Sequence, residues 1–394
     1  MTQEPKIFPY IARLLQGAEV VWKPLGEVAE IKRGQRVTKQ ELSNNKQYPV
    51  YSGGVKPMGY YDTYNQEANT ITIVKYGTAG YVNFIAERFW ANDVCYCIKP
   101  HTILENKYLL YVLKNMQLYI NSLATDAIPA HLPAPSLASI QIPLPPLSVQ
   151  QEIVRILDKF TQLEAELEAE LDCRKRQYEY YRNKLLTFSE IGGGTEIVWK
   201  TLGEVGTFIR GNGLQKKDLI TSGVPAIHYG QIYTYYGISA EQTISFVSRE
   251  TAEGLRKVDY GDVIITNTSE NIDDVGKAVA YCVKEQGVTG GHATIFKPSE
   301  KIIGKYLVYY TQTTEFSNQK RKYAKGTKVI DISANDLTKI TIPLPPLSEQ
   351  QRIATILDKF DTLVNSISEG LPKEIALRRK QYEYYREQLL SFPS

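Results

Sequence analysis

Two short segments combine basic and amide side chains with glycine in a way that suits contact with a phosphate backbone. The first is Ile31-Lys32-Arg33-Gly34-Gln35-Arg36-Val37-Thr38-Lys39, and the second is Ile209-Arg210-Gly211-Asn212-Gly213-Leu214-Gln215-Lys216-Lys217. Lys and Arg neutralise phosphates, Arg, Asn and Gln hydrogen-bond base edges, and Gly lets a backbone approach a duplex closely. Both segments therefore predict nucleic-acid contact. An ordinary solvated basic loop is the alternative that these residues leave open.

Other polar segments extend this candidate surface, among them residues 75–80, 267–271, 290–292 and 320–325. The formal net charge is only +3, so nucleic-acid binding must come from local patches and not from bulk charge. The residues that we assign to DNA contact are Lys32, Arg33, Gln35, Arg36, Lys39, Lys75, Tyr76, Arg210, Asn212, Gln215, Lys216, Lys217, Ser269, Lys322 and Lys325.

The sequence lacks the common signatures of catalysis and metal binding. It contains no GxxxxGK[ST] phosphate loop, no GxGxxG dinucleotide turn and no Asn-Pro-Pro-aromatic motif. The four cysteines form no CxxC pair and no zinc-ligand spacing with histidine. We therefore expect neither an enzyme nor a metal protein. No signal peptide and no apolar run of membrane-spanning length is present, which predicts a cytoplasmic protein without a membrane partner.

An internal repeat is the most informative feature of the chain. Three motifs occur twice, at offsets of 177, 200 and 204 residues: Trp-Lys-x-Leu-Gly-Glu-Val at 22–28 and 199–205, Ile-Pro-Leu-Pro-Pro-Leu-Ser at 142–148 and 342–348, and Gln-Tyr-Glu-Tyr-Tyr-Arg at 177–182 and 381–386. The intervening segments, about 29–141 and 206–341, look unrelated. One conserved frame carrying two different recognition surfaces explains this pattern. An old duplication whose loops drifted is the alternative.

The chain start also echoes the repeat, since Tyr10-Ile11-Ala12-Arg13-Leu14-Leu15 resembles residues 181–186. This echo predicts a pseudo-two-fold molecule with the N-terminus near the end of the C-terminal arm.

Two long segments carry the apolar spacing of helices that pack on helices. From Pro146 to Gly192 there is no Pro or Gly, and apolar residues recur every three or four positions. We expect Ser148 to cap a helix of roughly 40 residues, about 60 Å long. The tetrads Leu163-Glu164-Ala165-Glu166-Leu167-Glu168-Ala169-Glu170 allow its length to change without moving the apolar face. The second arm repeats the seam but should kink at Gly370-Leu371-Pro372, and the two arms should pair antiparallel.

Each arm contains a basic, tyrosine-rich segment with Tyr on several helix faces. One face can pack on the other arm, and the surplus Tyr predicts a protein partner. Packing of Tyr at the end of the seam is the competing explanation. The residues that we assign to partner binding are Arg174, Tyr178, Tyr181, Arg182, Tyr382, Tyr385 and Arg386.

The interiors read as short β runs with intervening helices, which predicts an α+β fold. Expected strands include 70–74, 94–98, 263–265 and 278–283, and expected helices include 106–121 and 305–318. The predicted organisation is a first globular domain at 1–147 with a short helical segment at 5–16, a central helix at 148–190, a second globular domain at 191–347 and a C-terminal helix at 348–394.

These frames, arms and tyrosine segments together resemble the specificity subunit of type I restriction-modification enzymes over nearly the whole length. The resemblance implies two target-recognition domains, each reading one half of a bipartite, asymmetric site in double-stranded DNA, joined by two antiparallel helices in a coiled coil. It also implies two modification (methyltransferase) subunits as partners, with motor-nuclease restriction subunits added for cleavage. S-adenosylmethionine would then belong to the methyltransferase, and this chain would need no cofactor of its own.

Two other classes of function remain as alternatives. The chain could be a two-headed coiled-coil adaptor whose globular ends bind proteins and not DNA; a steep salt dependence of DNA binding would separate the two. An enzyme such as a fused nuclease or methyltransferase is disfavoured by the missing motifs, and turnover without partners would test it.

Overall fold

The computed structural model describes residues 8–188 and 197–393, which fall into two compact units. The first unit consists of the described residues of Met1–Glu168 and Glu374–Ser394, and the second is Ala169–Lys373. Each unit therefore contains one globular domain, one part of the central helix and one part of the C-terminal arm.

Within residues 8–188, the first domain contains nine short strands and five short α-helices, followed by one long helix. The strands are β1 (Val21–Pro24), β2 (Ala29–Arg33), β3 (Tyr48–Tyr51), β4 (Tyr60–Tyr61), β5 (Thr70–Val74), β6 (Val82–Ile85), β7 (Trp90–Ala91), β8 (Cys95–Pro100) and β9 (Gln141–Leu144). The helices are α1 (Pro9–Leu15), α2 (Leu25–Val28), α3 (Asn106–Asn115), α4 (Gln117–Ser122), α5 (Ala134–Ala138) and the long α6 (Leu147–Leu186). The main sheet is antiparallel with the strand order β2-β8-β5-β6. A smaller sheet, β4-β3-β7, contains one parallel pair.

The second domain repeats this topology with additions. The strands are β10 (Val198–Thr201), β11 (Gly206–Arg210), β12 (Val224–Ile227), β13 (Ser239–Ala240), β14 (Ser245–Val247), β15 (Arg256–Val258), β16 (Val263–Thr266), β17 (Thr268–Ser269), β18 (Ala278–Tyr281), β19 (Gly287–Thr289), β20 (Ala293–Pro298), β21 (Ile330–Asp331) and β22 (Thr341–Leu344). The helices are α7 (Leu202–Val205), α8 (Tyr229–Thr234), α9 (Arg249–Glu253), α10 (Gly304–Thr311), α11 (Thr314–Tyr323), α12 (Ala334–Leu337), α13 (Leu347–Asn365) and α14 (Leu371–Leu390). The main sheet has the order β11-β20-β16-β18-β13 and the smaller sheet the order β14-β12-β19-β15.

The repeated sequence motifs pair with each other at the base of each domain. Strand β1 runs antiparallel to β9, with Trp22 opposite Pro143, and β10 runs antiparallel to β22, with Trp199 opposite Pro343. The chain thus enters and leaves each domain through one two-stranded ribbon. This pairing explains why motifs about 120 and 143 residues apart in the sequence are kept together in both copies.

Buried glutamines fix the start of each arm helix on its domain in the same way. Gln150 accepts a hydrogen bond from the Glu105 amide at 2.9 Å and donates to the carbonyls of Ile103 and Pro145 at 3.2 and 2.9 Å. Gln350 makes the matching bonds to the Ile303 amide and to the carbonyls of Lys301 and Pro345, at 2.9, 3.0 and 2.9 Å. Both glutamines are fully or almost fully buried, so these bonds are shielded from water.

An aspartate about two turns further along joins each arm to the first long helix of its domain. Asp158 receives hydrogen bonds from Lys107 Nζ and the Tyr111 hydroxyl, both at 2.6 Å. Burial is the main cause that raises the pKa of the Tyr111 hydroxyl, and its hydrogen bond to Asp158 is the second cause. In the second unit, Asp358 receives the same bonds from Lys305 and Tyr309, at 3.2 and 2.7 Å, which gives both units an identical helix attachment.

The expected antiparallel pairing of the arms is confirmed within the first unit. Phe160 of α6 stacks on Tyr385 of α14 with ring centroids 5.4 Å apart. Further along α6, Glu164 and Glu168 each lie 2.5 Å from the Arg379 guanidinium. Ascending positions on α6 thus meet descending positions on α14.

The second unit builds its part of the seam from the same residue types. Phe360 of α13 stacks on Tyr178 and Tyr181 of α6, with ring centroids 6.3 and 5.5 Å apart. The expected interruption of the second arm is also confirmed, because residues 366–370 separate α13 from α14.

Several sequence-based element boundaries need correction. Helix α6 begins at Leu147, because the Pro146 carbonyl accepts from the amides of Val149 and Gln150 at 2.9 and 3.1 Å; Ser148 lies inside the first turn and is not the cap. The predicted helix 106–121 is divided at Met116, and the helix expected at 305–318 is divided between Thr311 and Thr314. Helix α1, Pro9–Leu15, is shorter than the predicted segment 5–16, and residues 5–7 lie outside the described chain. Positions 189–190 of the predicted central helix also lie outside the described chain.

Candidate nucleic-acid interface

An arginine ends the first edge strand of the main sheet in each domain and is held by the same kind of bond. Arg33 Nε donates to the Asp93 carbonyl at 2.7 Å, and its Nη2 lies 3.2 Å from the Asp93 carboxylate. Arg210 Nε donates to the Gly291 carbonyl at 3.2 Å. The remaining guanidinium donors stay available to a phosphate or a base edge. Since the Arg33 side chain is 52% exposed, its ion pair leaves it accessible.

The glycine after each arginine is required by close backbone packing. A Cβ on Gly34 would lie 2.3 Å from the Asn92 carbonyl oxygen, and one on Gly211 would lie 2.2 Å from the Gly290 carbonyl oxygen. The Gly34 amide donates to the Cys95 carbonyl of β8 at 3.0 Å, and the Gly211 amide donates to the Ala293 carbonyl of β20 at 2.9 Å. From the sequence, we expect these glycines to lie at a duplex. In the structure they instead allow close approach of a neighbouring loop of the same domain.

The basic loop beyond each glycine ends in a short 3₁₀ turn, Lys39–Glu41 or Lys216–Asp218. Thr38 and Gln215 cap these turns, and the hydroxyl of Thr38 lowers the pKa of Glu41 by hydrogen bonding to its carboxylate. The turns position exposed cations in both domains. The exposed members of the predicted set in these loops are Gln35, Arg36, Lys39, Asn212, Gln215, Lys216 and Lys217.

Three other predicted residues of these segments make contacts within their own domain. Lys32 forms an ion pair with Glu30 at 2.9 Å and remains 65% exposed. Asn212 donates to the Gly254 carbonyl at 2.8 Å and accepts from the Arg256 amide at 2.9 Å, so its amide supports the loop. The Gln215 backbone amide donates to the Asp218 carboxylate at 2.9 Å at the start of the 3₁₀ turn.

The first domain brings Arg33 and Lys75 together on one groove of about 920 Å³. Lys75 Nζ lies 5.0 Å from the ring centre of Tyr76, a cation–π distance. Lys99 and His101 line the same groove, and sequence reasoning missed both. The signal for Lys99 was its charge directly after the buried strand run Cys95–Ile98, near the end of strand β8.

The second domain places Ser269 and Lys325 in one loop cluster. Ser269 pairs with Ile330 through strands β17 and β21, and Lys325 forms a backbone bridge with Asp331. Lys322 is exposed in the last turn of α11. Among the described residues, no carboxylate lies within salt-bridge distance of Lys322 or Lys325.

The basic run of residues 320–325 is not uniformly a surface patch. Lys320 is 4% exposed, and its Nζ donates to the carbonyls of Asp273 and Val275 at 2.9 and 2.7 Å. Burial lowers the pKa of Lys320 to about 8. Arg321 forms an ion pair with Asp273 at 3.1 Å. The run therefore contributes one structural lysine as well as exposed cations.

The predicted partner-binding residues lie in or beside the helix seam. Tyr178 is 5% exposed and is accounted for by its stack on Phe360. Arg182 and Arg386 lie over the rings of Tyr178 and Tyr382 at 5.6 and 5.4 Å. The Tyr382 ring, 6.5 Å from Phe160, contributes to the seam of the first unit.

Further contacts of these residues stay within their own unit. Arg182 also donates to Gln312 at 3.1 Å, and Arg386 to Asn115 at 3.2 Å. Arg174 bonds Glu170 and Gln177 of its own helix at 2.7 and 2.8 Å. The most exposed aromatic rings of the two segments are Tyr180 and Tyr384, 59% and 55% exposed, which the sequence analysis did not select.

The described ranges, 8–188 and 197–393, contain no group of three or more His, Cys, Asp or Glu side chains arranged to hold a metal ion. No helix in these ranges is long and apolar enough to cross a membrane.

A family model described as "Type I restriction modification DNA specificity domain" matches the chain twice, at residues 18–172 and 196–377. A putative type I restriction enzyme specificity subunit of Haemophilus influenzae is 34% identical over 401 residues, covering 97% of this chain and 98% of the relative. A type I restriction enzyme specificity subunit of Escherichia coli is also 34% identical, over 411 residues and 98% and 97% of the two chains.

Solved structures show the same fold at lower identity. The S subunit of a type I restriction-modification system from M. genitalium aligns with a TM-score of 0.62 at 18% identity, covering 96% of this chain and 98% of that one. The HsdS subunit from Thermoanaerobacter tengcongensis aligns with a TM-score of 0.51 at 17% identity, covering 99% and 98%.

Proposed function

The chain belongs to the type I restriction-modification DNA specificity family, and we propose on this basis that its two domains each read one half of a bipartite, asymmetric DNA site. The first domain corresponds to residues 1–147 and the second to residues 191–347. The observation that carries the proposal is the repeated scaffold, which places exposed cations on different loops at matching strand ends.

Phosphate contacts hold a protein on DNA, while base-edge contacts select the sequence. Arg36, Lys39 and Lys75 in the first domain have no salt-bridge partner among the described residues and suit phosphates. Lys216, Lys217 and Lys325 offer the same chemistry in the second. The loops around them differ in sequence between the domains, which supports two unlike half-sites.

The first test is the sequence that the complex modifies. Sequencing of methylated sites in cells that express the chain with its modification subunits should return one split motif. Substitution of Arg36 and Lys39 by Ala should weaken modification without changing either half of the motif, because phosphate contacts carry no sequence information. A wild-type motif made of one continuous block of bases would contradict the proposal.

The arm helices are proposed to set the spacer between the half-sites. Helix α6 runs without interruption from Leu147 to Leu186 through the Leu-Glu-Ala-Glu tetrads. One inserted tetrad adds ~6 Å of helix, against ~3.4 Å per base pair, so the spacer should grow by one or two base pairs. An insertion of Leu-Glu-Ala-Glu after Glu170 that leaves the spacer unchanged would reject the ruler and leave DNA reading intact.

The chemistry is proposed to belong to partners. Two modification subunits would bind along the paired helices and carry S-adenosylmethionine, and motor-nuclease subunits would add cleavage, while this chain acts as a non-catalytic reader. The exposed Tyr180 and Tyr384, one in each repeated segment, support two equivalent contacts. Light scattering of the complex should give two modification subunits per chain.

A two-headed protein adaptor is the alternative outcome. Binding of the full chain and its modification subunits to duplex DNA should weaken steeply as salt rises from 50 to 200 mM, since released counterions drive phosphate binding. Salt-independent binding would favour the adaptor.

A further inference from the structure

The chain has four histidines, and one in each domain is held by the same two contacts. His131 Nδ1 lies 2.8 Å from the Thr125 hydroxyl, and its ring stacks on Tyr76 with centroids 5.5 Å apart and planes at 24°. His292 Nδ1 lies 2.9 Å from the Thr268 hydroxyl, and its ring packs on Tyr229 with centroids 4.8 Å apart.

These histidines come from different places in the two sequences. His131 follows helix α4, whereas His292 directly precedes strand β20. In the first domain Tyr76 forms a β-bridge with His131, and in the second domain Thr268 forms the corresponding pair with Asp331. Asp331 thus occupies the position of His131 in the second domain. Alignment of the repeats therefore does not match the two histidines.

The two histidines nevertheless lie in equivalent loop clusters of the two domains. In the first domain, the Lys75 carbonyl accepts from the Leu132 amide at 2.8 Å, and in the second the Asn267 carbonyl accepts from the Ile332 amide at 2.9 Å. The Asn267 amide donates to the His292 carbonyl at 2.9 Å. Different loops thus place the same chemical group beside the end of the same central strand, β5 or β16.

Each imidazole is oriented before any ligand binds. A threonine hydroxyl can donate or accept, so it holds Nδ1 in either tautomer, and the tyrosine ring fixes the plane. Within residues 8–188 and 197–393 no hydrogen bond engages Nε2 of either ring. His292 is exposed and His131 is half-buried, so a ligand can reach both.

Cations flank both histidines. Lys75 lies over Tyr76, the ring on which His131 stacks, and Arg210 binds the carbonyl of Gly291, the neighbour of His292. This combination suits duplex DNA, with cations toward phosphates and an imidazole nitrogen toward a base edge. A side chain fixed in advance discriminates better, because it loses little freedom on binding.

We propose that His131 and His292 are specificity-determining residues, each making one base-edge contact through Nε2 in the half-site of its own domain. The proposal rests on the proposed DNA-reading function and deepens it. Thr125 and Thr268 are positioning residues, since they act through the histidines.

His228 has a different role. Its Nδ1 accepts from the Gly230 amide at 3.3 Å at the start of α8, and burial, followed by His292 and Lys216, lowers its pKa. Its ring also packs on Tyr229 with centroids 4.5 Å apart, so a substitution of His228 would disturb the ring that orients His292 and is not a control for it.

The test uses the full chain in complex with its modification subunits and a library of duplex DNA with randomised bases. His131→Ala should lower preference at one base pair of the first half-motif by about tenfold and leave the second half unchanged. His292→Ala should do the reverse, so each variant shows by its intact half that the protein is folded. Thr125→Val and Thr268→Val should give smaller losses at the same base pairs as the corresponding histidine.

The outcomes separate the two proposals. A wild-type complex that selects no split motif rejects the DNA-reading function itself. A wild-type split motif that both histidine variants leave unchanged overturns the histidine proposal alone. An equal loss in both half-motifs from either variant also overturns it, because that result reports a general effect on the scaffold.

Discussion

The two globular domains share a strand order while their added elements and loops differ. The first four strands of the second main sheet, β11-β20-β16-β18, correspond to β2-β8-β5-β6, and the parallel pair β12 and β19 corresponds to β3 and β7. The second domain adds strands β13 and β15 at sheet edges and the short helices α8 and α9. New elements at an edge leave the central ladder intact, so the reading surface can change while the scaffold persists.

The attachment of each domain to its arm, by contrast, is the same in both units. The buried contacts at Gln150 and Gln350, and the half-buried contacts at Asp158 and Asp358, match pair by pair. A buried hydrogen-bond network tolerates little change, because any member without its partner costs free energy. Constant residues therefore concentrate where helix meets domain, and variation concentrates at the loops.

The largest expected effect follows from exchanging the interiors. A chain in which residues 206–340 are replaced by a copy of residues 29–140 should modify a site built from two copies of the wild-type first half-motif. The common entry ribbons and glutamine contacts make the copy compatible with the second frame. Methylome sequencing measures the result, and persistence of the wild-type second half-motif would show that recognition lies outside these interiors.

The equivalence of the two attachments can be tested next. Gln150→Leu leaves one amide and two carbonyls without partners and should destabilise the first unit by about 3–5 kcal/mol. Gln350→Leu should cost the second unit a similar amount. Hydrogen exchange resolved by segment measures each unit separately within the full chain. Unequal losses would mean that the matching bonds carry different energies.

A pH effect should distinguish the second unit from the first. Lys320 packs near Gly276, whereas the uncharged Asn121 and the Ile120 carbonyl face the matching Gly80. Burial lowers the folded-state pKa of Lys320 to about 8, below its unfolded value of about 10.5. The unfolded state then binds more protons between these values, so stability should rise with pH across this window, by about 3 kcal/mol.

Urea unfolding from pH 8 to 10, followed by hydrogen exchange in each unit, checks this expectation. The rise should be confined to the second unit and absent in Lys320→Met. That variant should also be less stable than the wild type above pH 10, because it leaves the Asp273 and Val275 carbonyls without a donor. An equal rise in both units would assign the effect to other groups.

The smallest effect concerns the surface ion pairs of the seam. Arg379→Ala removes bridges to Glu164 and Glu168 and should lower the unfolding temperature only slightly, and less at high salt, because exposed ion pairs are weak and screened. Lys175 occupies the matching repeat position and has no ion pair among the described residues, so Lys175→Ala should have almost no effect. Thermal unfolding at low and high salt measures both, and equal losses would contradict the assignment.

Much of the architecture followed from the sequence alone. The repeated motifs identified two equivalent frames, the apolar spacing of residues 153–171 predicted α6, and Gly370-Leu371-Pro372 predicted the break in the second arm. Strand 70–74 was predicted at its observed bounds. These features depend on local periodicity and on backbone preferences of single residues, which a sequence carries directly.

Tertiary structure decided which polar side chains are free to act. Lys320 and Lys322 lie two residues apart in one basic run, yet one is buried against two carbonyls and the other is exposed. Asn212 is occupied by a loop some 40 residues away. His131 and His292 gained equivalent surroundings from loops that do not align. Whether a polar side chain is buried or exposed depends here on contacts between segments that are distant in the chain. Those contacts form only when the domain folds.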